Sequence, residues 1–227
     1  MYRRHFKRMI DFVLSLAALI VLSPVMLILT VLGAIKMKGN PFFTQLRPGK
    51  DEKIFRLIKF RSMTCEKDKE GKLLPDDQRL TRYGQLLRST SLDELPELIN
   101  ILKGDMSIVG PRPQLVRDMV FMTNEQRKRH TVRPGLTGLA QISGRNAISW
   151  EGKLRTDLKY IEKITLANDI SIILKTVGKV IKREGISDEG MATADDYGDY
   201  LLKTGRVSQE EYDGKQAEAK EILRTVE

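Results

Sequence analysis

Asp93 and Glu94 stand side by side in Ser91-Leu92-Asp93-Glu94-Leu95-Pro96. Adjacent carboxylates of this kind can attack an electrophile, move a proton or hold a cation. Pro96 has no N–H to donate, so a helix running on through Leu98, Ile99 and Leu102 has to begin close to the dyad. A helix N-terminus favours the ionised form and would keep Asp93 an anion able to attack phosphorus or bind a metal. The same residue types also serve as plain caps, with Asp93 as N-cap or Ser91 and Glu94 as a capping box.

Cations are placed to complement the dyad. Gly110-Pro111-Arg112-Pro113 holds one arginine between two prolines, which stiffens the backbone and suits bidentate phosphate binding. Lys59 and Arg61 close an extended segment, Arg88 comes just before the dyad, and Arg145 lies in Ser143-Gly144-Arg145-Asn146. Arg133-Pro134-Gly135-Leu136-Thr137-Gly138 is rich in glycine and offers either a close backbone approach to a ligand or a loop with two turns. Histidine is scarce, with only His5 and His130, so a histidine-based zinc site or a Ser-His-Asp triad has little material. Chemistry falls to carboxylates and cations.

These residues must be carried by a chain with an unusual N-terminus. From Phe12 to Ile35 no residue is charged, a run long enough to cross about 30 Å of hydrocarbon. Arg3, Arg4, Lys7 and Arg8 precede it and Lys36, Lys38, Arg47, Lys50 and Lys53 follow, so a full crossing would put one cationic cluster outside. A hairpin keeps both inside. Ser23-Pro24 predicts a kink or break, because Pro24 cannot donate to Ile20 and the Ser23 hydroxyl can satisfy part of the freed backbone. Phe12 to Leu22 would then be about 16 Å of helix, the depth of one leaflet. A kinked spanning helix is the alternative.

The net charge is +9; residues 186–227 hold 11 acids and 5 bases, which leaves +15 on residues 1–185. Such a body can face anionic lipid, phosphate-bearing substrates or nucleic acid, but the interleaved aromatics that base stacking requires are sparse. The single cysteine, Cys65, excludes an internal disulfide and fits a reducing compartment.

Periodicity places the rest. Phe42 to Leu46 and Lys53 to Phe60 read as a small hairpin, and Cys65 to Tyr83 as a charged excursion with solvated Asp76 and Asp77. Helices are predicted from Leu95 to a stop at Gly104, over Asn124 to His130, over Trp150 to Lys163, and from an Asn168 or Asp169 cap through Arg183. The last is basic and amphipathic, able to lie on an anionic membrane or to pack on a core. Ser208-Gln209-Glu210-Glu211 signals one further helix in the acidic tail, to which no chemistry is assigned.

The chain resembles the bacterial sugar transferases of the small monotopic phosphoglycosyl transferase type, such as the initiating enzyme of bacterial N-glycan assembly. The resemblance is carried from about Lys7 to Arg183 by Ser23-Pro24, Phe43-Thr44-Gln45-Leu46-Arg47-Pro48-Gly49 and Lys59-Phe60-Arg61-Ser62-Met63. It continues through Leu87-Arg88-Ser89-Thr90-Ser91-Leu92-Asp93-Glu94-Leu95-Pro96, Gly104-Asp105-Met106-Ser107-Ile108-Val109-Gly110-Pro111-Arg112-Pro113 and Arg133-Pro134-Gly135-Leu136-Thr137-Gly138.

That resemblance implies an α+β fold. Residues 1–38 would form a re-entrant helix-break-helix, 39–185 a mostly helical catalytic domain with a β-hairpin and amphipathic interfacial helices, and 186–227 an acidic extension. It implies transfer of a sugar 1-phosphate from a UDP-sugar to undecaprenyl phosphate at the cytoplasmic face of the bacterial inner membrane, releasing UMP, as a first membrane step of glycoconjugate or polysaccharide assembly. Asp93 would attack the sugar-bearing phosphorus and ligate Mg2+, and Glu94 would orient groups or manage a proton. Arg112 and Arg88 would bind phosphate, joined by Lys59 and Arg145, with Arg61 and Asp157 as further candidates. The partners implied are the UDP-sugar, the polyprenyl phosphate and inner-membrane phospholipids, with no nucleic acid. A membrane-anchored basic scaffold without catalysis is the competing reading.

Overall fold

The computed structural model describes residues 1–144, 148–182 and 195–226, so Arg145 and the beginning of the acidic tail lie outside the described residues. The first long helix, α1, runs unbroken over Lys7–Lys36 with Pro24 inside it. The expected helix-break-helix is therefore not what the backbone shows. The reason is local: the Ser23 hydroxyl donates to the Ile20 carbonyl at 2.8 Å, the acceptor that Pro24 leaves without its partner.

Strands β1 (Phe42–Pro48) and β2 (Ile54–Phe60) follow as the hairpin, antiparallel with Phe42 opposite Phe60 and Pro48 opposite Ile54. Short α2 (Asp76–Arg79) lies in the 65–83 excursion, where Asp76 pairs with Arg79 rather than standing solvated. Then come α3 (Arg82–Ser89) and α4 (Glu97–Lys103), the latter stopped by Gly104 at φ +96°. Two three-residue strands, β3 (Ser107–Val109) and β4 (Gly135–Thr137), pair in parallel. Between them sit α5 (Val116–Met119) and α6 (Asn124–Arg127), and after them α7 (Leu139–Ser143), α8 (Trp150–Glu162) and α9 (Leu166–Lys182). The tail forms α10 (Tyr197–Lys203) and α11 (Gln209–Arg224), the second capped by Ser208 as predicted, with Glu211 N–H bonded to its hydroxyl at 3.1 Å.

The apolar helix is not a free anchor. Asp11 accepts from the Ser107 hydroxyl (2.7 Å) and the Ile108 N–H (3.1 Å), and Arg8 donates to the Ile101 and Leu102 carbonyls at 2.6 and 2.8 Å. Farther along, Ala18, Leu19 and Leu22 pack on Leu98 and Ile101, then Met26 and Leu29 on Phe60 and Leu87. Near the far end the Tyr83 hydroxyl donates to the Leu29 carbonyl at 2.9 Å. The inward residues recur at spacings of three and four, one stripe along roughly 45 Å of helix. The opposite face, including Val13, Ile20, Val21, Leu27 and Ile35, is exposed.

A second exposed apolar stripe, Ile170, Leu174, Val177 and Ile181, runs down α9. Its N-terminal signal lies earlier than predicted: Thr165 accepts from Asn168 N–H, while Asp169 is buried and binds Lys7, Tyr2 and Tyr160. Asp169 thus ties the start of α1 to α9.

The tail joins the main body through a shared core. Val116, Met119, Val120 and Phe121 pack with Leu154 of α8 and with Tyr197, Leu201 and Ala219 of α10 and α11. The buried Asp118 carboxylate accepts from the N–H groups of Leu115 and Tyr197, at 3.0 and 2.9 Å. A Cβ added at Gly198 would meet the Phe121 ring at 2.5 Å. Gly198→Val is expected to destabilise the fold by about 1–3 kcal/mol, the usual penalty of overpacking, read as a lowered thermal transition.

Candidate active site

One carboxylate oxygen organises the site. Glu94 Oε1 accepts from Lys59 Nζ at 2.8 Å and from Arg112 Nη2 at 2.8 Å, and Lys59 Nζ also lies 3.0 Å from Glu97 Oε1. The hairpin supplies Lys59 from the end of β2, and the loop after β3 supplies Arg112. The dyad itself rides on a single 3-10 turn, Leu92–Glu94, entered through Ser91 at φ +56°. That left-handed residue reverses the chain between α3 and the dyad, a strained choice for a residue with a side chain.

The capping reading fails here. Pro96 occupies the N-cap position of α4, and neither Ser91 nor Pro96 makes a side-chain cap bond. Asp93 therefore precedes the helix instead of capping it, and α4 has only seven residues. Burial, then the charge of Glu94, pushes the Asp93 carboxyl up to about 6, against the pull of Lys59, Arg112 and Arg88. The predicted helix-dipole effect is thus outweighed by desolvation and a like charge. Burial also opposes ionisation of Glu94, but Lys59 and Arg112 more than offset it and hold that carboxyl well below the usual range. Glu97 is pushed up to about 7 by burial, despite Lys59. The proton of this acid cluster consequently resides on Asp93 or Glu97 rather than on Glu94.

Asp93 has no hydrogen-bond or ion-pair partner among the described residues. It is partly exposed and is the member of the dyad open to a ligand, since Glu94 is occupied on the side that faces the cations. Arg112 keeps 45% of its side chain exposed while anchored through Nη2, so the rest of its guanidinium can meet a ligand.

The loop that presents Arg112 is held by its own main chain. Gly110 N–H donates to Thr137 O and Gly135 N–H to Pro111 O, both at 2.9 Å, while Arg47 Nη1 reaches Pro113 O at 3.3 Å. The glycine-rich stretch therefore approaches Gly110 rather than a ligand: a Cβ at Gly135 would lie 2.1 Å from Gly110 N. The Arg112 carbonyl accepts from Arg129 Nη2 at 2.6 Å, and Arg129 is paired in turn with buried Asp157, at 2.7 Å from Nη2 and 3.0 Å from Nε.

The predicted residues thus divide. Asp93, Glu94, Lys59 and Arg112 converge, and Arg88 is near enough to act on the charge of Asp93 while its Nε donates to Ser62 Oγ at 2.9 Å. Asp157 is two contacts away from Arg112 and acts on its backbone. Arg61 donates to Cys65 Sγ and the Phe42 carbonyl, at the base of the excursion, and makes no hydrogen bond to the dyad. Ser23 and Pro24 belong to α1. Sequence reading missed Glu97, although its place three residues after Glu94 puts both on one side of a helical turn; it also missed Ser62 and Arg129, for which no local signal exists.

Among the described residues no three His, Cys, Asp or Glu side chains converge as a ready-made metal site. A magnesium ion here would be held through one carboxylate and substrate oxygens and not caged by protein alone.

Comparison with known proteins bears on the same segments. The family model for bacterial sugar transferase matches residues 2–183. An uncharacterized sugar transferase of Bacillus subtilis, EpsL, is 47% identical over 191 residues, which is 83% of this chain and 94% of that protein. The UDP-galactose-lipid carrier transferase of Erwinia amylovora is 37% identical over 200 residues, covering 80% of this chain and 42% of its own length. The UDP-glucose:undecaprenyl-phosphate glucose-1-phosphate transferase of Klebsiella pneumoniae is 41% identical over 194 residues, 77% of this chain and 40% of its own. The chain thus spans about two-fifths of the length of the last two.

Because the Asp93 carboxyl is raised in the fold, its ionisation weakens the folded state at neutral pH, and stability returns as pH falls through about 6. Asp93→Asn is expected to melt at or above the native temperature at pH 8, with the difference shrinking toward pH 5. A variant that melts lower throughout would contradict the assignment. Asp157→Asn, in contrast, is expected to cost about 3 kcal/mol or more, since it leaves Arg129 buried without its partner.

Proposed function

The chain belongs to the bacterial sugar transferase family, and from that membership and the geometry around Asp93 we propose that it transfers a sugar 1-phosphate from a UDP-sugar to undecaprenyl phosphate, yielding undecaprenyl-diphosphate-sugar and UMP. Relatives named for UDP-galactose and UDP-glucose chemistry on lipid carriers support this substrate class. The observation that carries it is a partly exposed Asp93, without a partner among the described residues, beside a Glu94 whose Oε1 accepts from two cations.

In the first half-reaction an Asp93 oxygen attacks the sugar-bearing phosphorus, forming an acyl phosphate as the bond to the uridine-bearing phosphate breaks and UMP leaves. In the second, an oxygen of the lipid phosphate attacks the same phosphorus and Asp93 departs as carboxylate. A carboxyl near 6 is mostly ionised at neutral pH, yet more basic than an ordinary aspartate and so a better nucleophile. Arg112 and Arg88 meet phosphate oxygens, and Lys59 holds Glu94 and Glu97 in place while offsetting their charge. Asp93 together with substrate oxygens would hold a magnesium ion, which when bound reduces the repulsion between carboxylate and diphosphate.

The membrane reading follows from α1. The hairpin, α3 and α4 line one side of it along its length, so a crossing would bring Lys59 and Arg88 to hydrocarbon depth. Association through one face, with the outer side of α1 and the stripe of α9 in the bilayer, avoids that cost and keeps the site by the cytoplasmic headgroups.

Purified protein supplied with UDP-sugars, undecaprenyl phosphate and Mg2+ is expected to release UMP, and Asp93→Asn to fall to background; undiminished release would remove Asp93 as nucleophile. The acid limb of kcat/KM is expected near pH 6 and to shift lower in Glu94→Gln, which removes the neighbouring charge. Tags at the two chain ends are expected to label from the same side of the membrane, and labelling from opposite sides would sink the one-face reading.

A further inference from the structure

A second basic concavity lies at the charged end of α1. It has a volume of ≈ 240 Å³ and its walls include Arg3, Lys7 and Arg8 from the N-terminal end, Lys50 from the hairpin turn, and Arg133. It adjoins a cleft of ≈ 310 Å³ that shares Lys50 and Arg133 and adds Lys53 together with the acids Asp51 and Asp105, the second of which accepts from Asn100 Nδ2 at 3.2 Å. The place is distinct from the Asp93 centre: Arg133 Nε donates to the carbonyl of Gly104, just past the C-terminus of α4, whereas Glu94 precedes its N-terminus. About 10 Å of helix separates them.

Its cations are only partly neutralised. Lys7 is paired with Asp169, and Arg8 spends both Nη groups on the last carbonyls of α4. Asp11, an acid in the wall, gives one oxygen to Ser107 and the other to the Ile108 N–H, so it is turned toward the protein. Arg133 uses Nε alone, and its Nη groups have no partner among the described residues; nor has Arg3. Lys50 has only a loose contact with exposed Asp51, at 3.6 Å. Arg8 and Arg133 stand close enough that, after burial, Arg133 is the next cause depressing the Arg8 guanidinium. Like charges gathered around a hollow, with donors left over, favour an anion.

We infer that this concavity is a second, non-catalytic phosphate site, in which Arg133, Arg3 and Lys50 bind a phosphate group. An anionic phospholipid headgroup and free phosphate share that chemistry. The place favours the headgroup, because the site opens beside a helix whose outer face is apolar.

The full-length protein is tested with inorganic phosphate and with vesicles. In detergent, phosphate is expected to raise the thermal transition beyond sodium chloride at equal ionic strength, and the variant Arg3→Gln/Lys50→Gln/Arg133→Gln is expected to lose that rise. In flotation, vesicles containing phosphatidylglycerol are expected to bind the protein better than phosphatidylcholine alone, with about fivefold lost for each of these cations removed. Arg3→Lys/Arg133→Lys keeps the charge and is expected to retain most of the binding, which separates the effect from misfolding. A phosphate rise without any lipid preference supports the site with a soluble source. If Lys175→Gln/Lys179→Gln on α9 loses as much lipid binding as the triple variant and phosphate gives no rise, the attraction is diffuse and the site is overturned. UMP release with Asp93 intact distinguishes that failure from failure of the transferase reading.

Discussion

A single partly buried carboxylate oxygen, Glu94 Oε1, holds together three segments far apart in sequence: β2 through Lys59, the 3-10 turn, and the Arg112 loop. Its ionisation is favoured by the two cations, while burial, then the charge of Glu94, raises the Asp93 carboxyl, and burial raises that of Glu97. Three acids around two close cations cannot all be equally ionised in a partly desolvated place. The uneven distribution is what makes adjacent residues chemically different. Glu94 becomes a fixed structural anion, and Asp93 a more basic carboxylate without a partner among the described residues.

Around this centre the fold is built to keep Arg112 still. Parallel β3 and β4 bring Gly110 and Gly135 into main-chain contact so close that no side chain fits between them. Arg129 holds the Arg112 carbonyl from below and is itself held by Asp157. The C-terminal helices α10 and α11 lie beyond the family match, yet they complete the hydrophobic core under α5, which begins three residues after Pro113. Asp118 links these layers by accepting from both Leu115 and Tyr197 N–H groups. The tail is thereby coupled to the geometry of the site.

The apolar helix answers to the same domain. Its inward stripe is a packing surface, starting in the buried Asp11 and Ser15 and ending at Gly33, and its outward stripe is left for another apolar phase. Pro24 removes one main-chain donor, and Ser23 repairs the loss within the same turn. Helicity is retained where the loss of a hydrogen bond alone would predict an interruption.

Much of this was legible locally. The hairpin, the stop at Gly104, the helix over Trp150–Glu162, the Ser208 cap and the uncharged run all depend on neighbours within a few residues, and spacing reports such neighbours directly. The motifs around Asp93, Lys59 and Arg112 were likewise visible as residues. Their roles were not. Local spacing placed Asp93 on a helix N-terminus and kept it readily ionised, whereas desolvation and Glu94 raise its carboxyl, and these depend on what the fold packs around it. Asp169, one of two candidate caps by spacing, is a buried tether, and the glycines of 133–138, open by spacing to a ligand approach or to a loop with two turns, seat Gly110. The sequence by itself determined which elements form and which side chains are available for chemistry, because those follow from backbone sterics and short-range periodicity. Tertiary structure alone decided which carboxylate is neutralised, which stays free and which arginine is exposed, because burial and charge act between residues that only folding brings together.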